Sequence, residues 1–289
     1  MGDNPAAACR LERDGPQWQA RLLFPTAFAT LSDLLDPTLF AAVIADRRFA
    51  AAAVIALVSG AARGFSGFGS AMIYIPLVAA VYEPRIAAAT LVLIDLVCAF
   101  PLAIRAVPHC HWREVIPISV AAAAAVPIGT WVLLVADPVM LRWAIAGVVI
   151  VLLAVLASGW RYHGRPRLPA TIGVGLLSGL GSGAVQIAGP PVILYWLGGA
   201  GQAAFVRANL MVYFTFIDVI GCAAYFRQGL FTREVAALSL LLGLPFILAM
   251  VAGVYWFRAA SERSFRRVAY AIIALSALIS LPIFDRLLR

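Results

Sequence analysis

Arg63 stands at the head of a segment rich in glycine, serine and phenylalanine, Gly64-Phe65-Ser66-Gly67-Phe68-Gly69-Ser70, and Pro76 follows shortly after. A second segment of similar character, Gly179-Leu180-Gly181-Ser182-Gly183, leads to Gln186 and then to Gly189-Pro190-Pro191. Glycine lets the backbone come close to a ligand and proline removes a backbone donor, so each segment reads as a place where a helix is interrupted. An interrupted helix offers free N–H groups where it resumes, and such groups bind small anions. Arg63 would supply positive charge there, with Ser66, Ser70, Ser182 and Gln186 as neutral donors. Gly64, Gly67, Gly69, Gly181 and Gly183 would leave the backbone open. Glycines at four-residue spacing also suit close helix packing, but packing alone accounts for neither the GFSGFG cluster nor the Pro-Pro pair. Neither segment is a phosphate-binding loop, because no Gly-Lys-Ser/Thr follows.

Two carboxylates, Asp95 and Asp218, stand alone in long apolar runs. Such residues are candidates for proton coupling, with an Arg-paired or protonated structural carboxyl as the alternative. Asp218 is preferred for the coupling role, because Thr215 and Cys222 share its helical face. Thr90 and Asn209 are candidate polar contacts to substrate. Thr90 and Asp95 lie ~140° apart on a straight helix, however, so they cannot both line one narrow cavity. Two intramembrane aspartates also suggest a protease, but its Tyr-Asp and Gly-x-Gly-Asp contexts are missing here. His109-Cys110-His111 has no acidic or cysteine partner at ligand spacing, and the four cysteines form no disulfide or metal pattern. No cofactor and no metal is expected.

The elements that must position these residues are membrane helices. Hydrophobic residues make up 63 % of the 289 and charged residues 12 %, with a mean hydropathy of +0.94. A soluble fold of this composition could not cover its own surface. All basic residues are Arg, placed in short breaks between apolar runs, which fits topology-setting loops and argues against nucleic-acid binding. Residues 87–104, 115–136, 143–160, 208–226, 235–257 and 268–284 each suffice to cross a bilayer. Runs 49–82 and 168–206 are too long for single rods and contain the glycine-rich segments, so each is expected to be broken. Residues 1–46 form a separate cytoplasmic or interfacial segment with no signal-peptide core, and 38–46 fits an interfacial helix.

Self-similarity divides the rest. Leu57-Val58-Ser59-Gly60 recurs as Leu176-Leu177-Ser178-Gly179, Thr90-Leu91 falls opposite Asn209-Leu210, and Trp112-Arg113-Glu114-Val115 recurs as Thr232-Arg233-Glu234-Val235. All three lie within one residue of a common offset of 119. This predicts two repeats, 47–160 and 161–289, of four elements each, the first element of each being broken. If both broken runs cross, the Arg-rich side carries Arg47, Arg48, Arg161, Arg165 and Arg167. The expectation is an all-α polytopic protein of about eight spans with cytoplasmic termini.

Over residues 47–284 the chain resembles the sulfite exporter TauE/SafE family of anion permeases. The resemblance rests on the duplicated layout, the break from Gly64 to Pro76, the break from Gly179 to Pro191, and the placing of Thr90 and Asn209 after each. The family's run of consecutive glycines is diluted here. The resemblance implies a secondary transporter, not an enzyme, that moves sulfite, sulfonates or related organosulfur anions across the inner membrane. Its partners would be a small anion, protons and the lipid bilayer, and a homodimer is compatible with it. A membrane-embedded enzyme or assembly factor and an anion channel are the alternatives.

Overall fold

The computed structural model describes residues 37–66, 69–158, 167–197, 203–257 and 262–284, and every regular element among them is helical. In chain order these are α1 (Pro37–Ala45), α2 (Arg47–Ser66), α3 (Ser70–Val81), α4 (Pro84–Ala106), α5 (Trp112–Val135), α6 (Pro138–Ala157), α7 (Leu168–Val185), α8 (Gly189–Leu197), α9 (Ala203–Arg227), α10 (Arg233–Phe257) and α11 (Glu262–Ile279). Short 3₁₀ turns follow α4 (Val107–His109) and α11 (Pro282–Phe284). Among the described residues, six helices are long and apolar enough to cross a membrane: α4, α5, α6, α7, α9 and α10.

Both overlong runs are broken, as expected. The first becomes α2 and the 12-residue α3; the second becomes the 18-residue α7 and the 9-residue α8. Several helices begin earlier than hydropathy alone predicts. α6 starts at Pro138 rather than 143, because Asp137 caps it by accepting bonds from the N–H groups of Val139 and Met140, and proline suits the first helical position. α4 also opens on a proline, Pro84, though Glu83 before it makes no side-chain cap. Arg85 then donates to the carbonyls of Leu133 and Leu134, tying the start of α4 to the end of α5.

Two seams dominate the packing. α2 lies against α10, and α7 against α5. Glycine makes both possible: a Cβ on Gly60 or Gly64 would overlap the carbonyl oxygens of Phe246 or Met250, and one on Gly179 or Gly183 those of Ala122 or Val126. In an apolar solvent that gives helices no hydrophobic reason to associate, such backbone approach gains dispersion contacts. α4 and α9 pack on each other between the seams. Buried tyrosines stitch these layers together. Tyr74 on α3 bonds Thr90 on α4 at 3.0 Å, Tyr213 on α9 donates to Ser178 on α7 at 2.7 Å, and Tyr225 on α9 donates to the Gly183 carbonyl at 2.9 Å.

Candidate functional site

The two breaks meet. A cavity of ≈ 50 Å³ is lined by Arg63 from α2, Gly69, Ser70 and Ala71 from the first break, and Gln186, Ala188 and Gly189 from the second. Asp95 on α4 and Phe214 and Asp218 on α9 complete it. A water needs roughly 10–15 Å³ on such a measure, so this space suits a few waters or one small ion.

Each break is shaped by one residue in the left-handed region. Gly69 has φ 93° where α3 begins, a conformation glycine adopts without strain. Gln186 has φ 56° where α7 ends, and is the non-glycine residue with positive φ among those described. That costs a side chain about 1–2 kcal/mol. Part of the cost is met by a helix-ending motif, in which the Gln186 N–H bonds the Ser182 carbonyl and the Ile187 N–H bonds the Gly181 carbonyl. The chain folds back so closely that a Cβ on Gly181 would overlap the Ile187 carbonyl. Residues held in this region cluster at ligand clamps and switch points.

Charge is concentrated at this point. Arg63 Nη1 lies 3.0 Å from Asp95 Oδ2 and donates at 3.3 Å to Ser70 Oγ. The other oxygen of Asp95, Oδ1, is buried without a hydrogen-bond partner, while the Gln186 side chain lies against the Tyr225 hydroxyl. Asp218 is 7 % exposed and joins no salt bridge among the described residues. Ser70 and Ala71 open α3 and turn the start of that helix toward the cavity. α8 contributes less, since Pro190 and Pro191 near its start have no N–H. The cavity therefore combines donors suited to an oxyanion with two carboxylates that oppose one.

The predicted site residues fall into three groups. Arg63, Gly69, Ser70, Gln186, Asp95 and Asp218 line the cavity together. Gly64 and Gly183 sit in the helix seams, Gly181 supports the turn at Gln186, and Ser182 is wholly buried with no partner for its hydroxyl. Thr90 and Asn209 do not line the cavity. Thr90 bonds Tyr74 and the carbonyls of Ile86 and Ala87. Asn209 accepts from the His111 N–H at 2.8 Å and donates to Glu114 at 3.1 Å, fixing the turn before α5. Gly67 lies outside the described residues, as does the side chain of Ser66.

Sequence reasoning missed Ala71, Ala188, Gly189 and Phe214. Phe214 was within reach, since it precedes Asp218 by one helical turn. The Arg63–Asp95 bond spans 32 residues and leaves no spacing signal.

A family model described as sulfite exporter TauE/SafE matches residues 52–279, most of the chain and every residue of the cavity. No curated protein and no solved structure matches the chain.

Proposed function

We propose that this chain, which belongs to the sulfite exporter TauE/SafE family, carries a small oxyanion such as sulfite or a short sulfonate across the inner membrane through the cavity between its two breaks. The observation that carries this reading is the convergence of Arg63, the start of α3 and Gln186 on one small space among membrane-spanning helices. Broken helices that meet near the middle of a bundle are a recurrent way of building transporter sites. Binding of sulfite, taurine, sulfoacetate and simple carboxylates to the purified protein tests it. Sulfite or a sulfonate should bind and be lost or strongly weakened in Arg63→Gln; a protein that binds none of these anions refutes the reading.

The broader architecture follows the same proposal. The two broken runs, α2–α3 and α7–α8, together with α4, α5, α6, α9, α10 and α11, give eight transmembrane elements in two repeats, with cytoplasmic termini. Supporting this, Gly60 and Gly64 find Phe246 and Met250, while their equivalents Gly179 and Gly183 find Ala122 and Val126. Glycines 119 apart thus meet partners a constant 124 apart. Each half lends its first helix to the other.

Transport is coupled to protons through the two cavity carboxylates, Asp218 and Asp95, with Asp218 required. Export of a monoanion is already favoured by about 2.3 kcal/mol per 100 mV of membrane potential, so coupling matters for uptake or for a dianion. Asp218→Asn in proteoliposomes should keep anion exchange and lose flux driven by an imposed pH gradient. Flux that still follows the gradient removes Asp218 from this role.

A further inference from the structure

The site of the proposed function contains a contradiction of charge, and its resolution deepens that reading. One guanidinium, on Arg63, faces two carboxylates, on Asp95 and Asp218. With both ionised, the cavity is negative before any substrate arrives. An oxyanion entering it would meet like charge in a medium where charge is poorly screened. Nor is Arg63 free to receive it, because Asp95 already holds Nη1 at 3.0 Å.

The geometry of Asp95 shows how this can be relieved. Only Oδ2 is engaged; Oδ1 is buried and has no hydrogen-bond partner. The other groups facing Asp95 are Ser70 and Tyr74 from α3, Cys98 from its own helix, and Asp218 from α9. Gln186 and Gly189 from the second break are uncharged, and no residue of α10 lines the cavity. No cation other than Arg63 stands in the cavity lining to replace it. A proton placed on the vacant Oδ1 leaves a neutral acid, weakens the hold on Arg63, and lowers the negative charge by one.

We propose that Arg63 is shared between Asp95 and the substrate: Asp95 occupies it in the empty site, and an oxyanion takes that place only as Asp95 gains a proton, so anion and proton bind as a pair. No covalent bond changes. The proton comes from water and sits on the carboxyl, the anion replaces the carboxylate at the guanidinium, and the amide of Gln186, which also lines the cavity, donates to a second oxygen. The substrate class follows: a compact anion with at least two acceptor oxygens, able to bridge Arg63 and Gln186. Asp95 is a positioning residue in this scheme, acting through Arg63.

The test uses the purified full-length chain and methanesulfonate, whose charge does not change between mildly acidic and mildly alkaline pH. Its dissociation constant should rise about tenfold per pH unit once Asp95 is ionised, the slope for one proton taken up per anion. In Asp95→Asn the carboxamide cannot ionise, so the slope should fall by one proton and binding at alkaline pH should tighten. Proton uptake by the wild-type protein, read with a pH indicator in weak buffer as the anion is added, checks the same point without a variant. A wild-type affinity independent of pH, or an Asp95→Asn protein with an undiminished slope, overturns the shared-arginine proposal and leaves the transport reading standing. A wild-type protein that binds neither methanesulfonate nor sulfite at any pH overturns both.

Discussion

Removing the Arg63 guanidinium would leave the Asp95 carboxylate buried beside Asp218 with no cation in the cavity lining. Breaking a buried pair from one side commonly costs about 3–5 kcal/mol, whereas replacing both partners is far milder. Arg63→Gln should therefore lower the unfolding temperature in detergent, and adding Asp95→Asn to it should restore most of the loss. If the double variant is no more stable than the single one, the pair is not what holds Arg63. Gln186 offers a separate test. Gln186→Gly should relieve about 1 kcal/mol of left-handed strain while weakening anion binding, a donor to a charged group being worth roughly 1.5–3 kcal/mol. Greater stability together with unchanged affinity would show that the amide does not reach the substrate.

At the scale of the element, the glycine-rich segments do two jobs, and sequence alone could not divide the labour. Their clustering marked the breaks correctly, because glycine and proline act locally. Which glycines face a cavity and which face a neighbouring helix depends on partners more than 50 residues away, such as Val126 or Met250. Gly64 and Gly183 could not be told from Gly69 by spacing. Thr90 and Asn209 stand away from the cavity for a reason helix geometry supplies: Thr90 lies ~140° and Asn209 ~180° around the axis from the aspartate that each precedes. The aspartates face the cavity, so their companions face away. The seam reading predicts that Gly183→Ala, which must push the Val126 carbonyl aside, destabilises the protein by at least about 1–3 kcal/mol. Gly147→Ala on α6, where a Cβ meets nothing within 4 Å, should be neutral or slightly stabilising. Thermal unfolding of the two variants side by side checks this, and equal losses would refute it.

Over the whole molecule, composition alone established a helical membrane protein, since that conclusion needs no partner information. The pairing of helices was not legible. Hydropathy orders elements along the chain but says nothing of which faces meet, and here the strongest contacts join the start of one half to the later part of the other. If the cavity between the breaks is the path, single cysteines at Ser70 and Ala188 should both react with a small water-soluble thiol reagent. The background would lack Cys9, Cys98, Cys110 and Cys222, and sulfite should protect both sites. Protection of one site but not the other would mean the breaks do not share a ligand.

The crossed seams also constrain how the chain is made. α2 carries Arg47, Arg48 and Arg63 and is not among the helices apolar enough to cross a membrane unaided. Its partner, α10, begins at Arg233, so α2 leaves the ribosome long before the surface that accommodates it exists. Until then it has to wait at the interface or shelter against α3 and α4. Biogenesis is therefore completed only near the end of synthesis, when a late helix captures an early one. Two fragments divided between α6 and α7 should assemble when produced together, and each should be degraded when produced alone. A first fragment that accumulates stably without the second would show that α2 does not wait for α10.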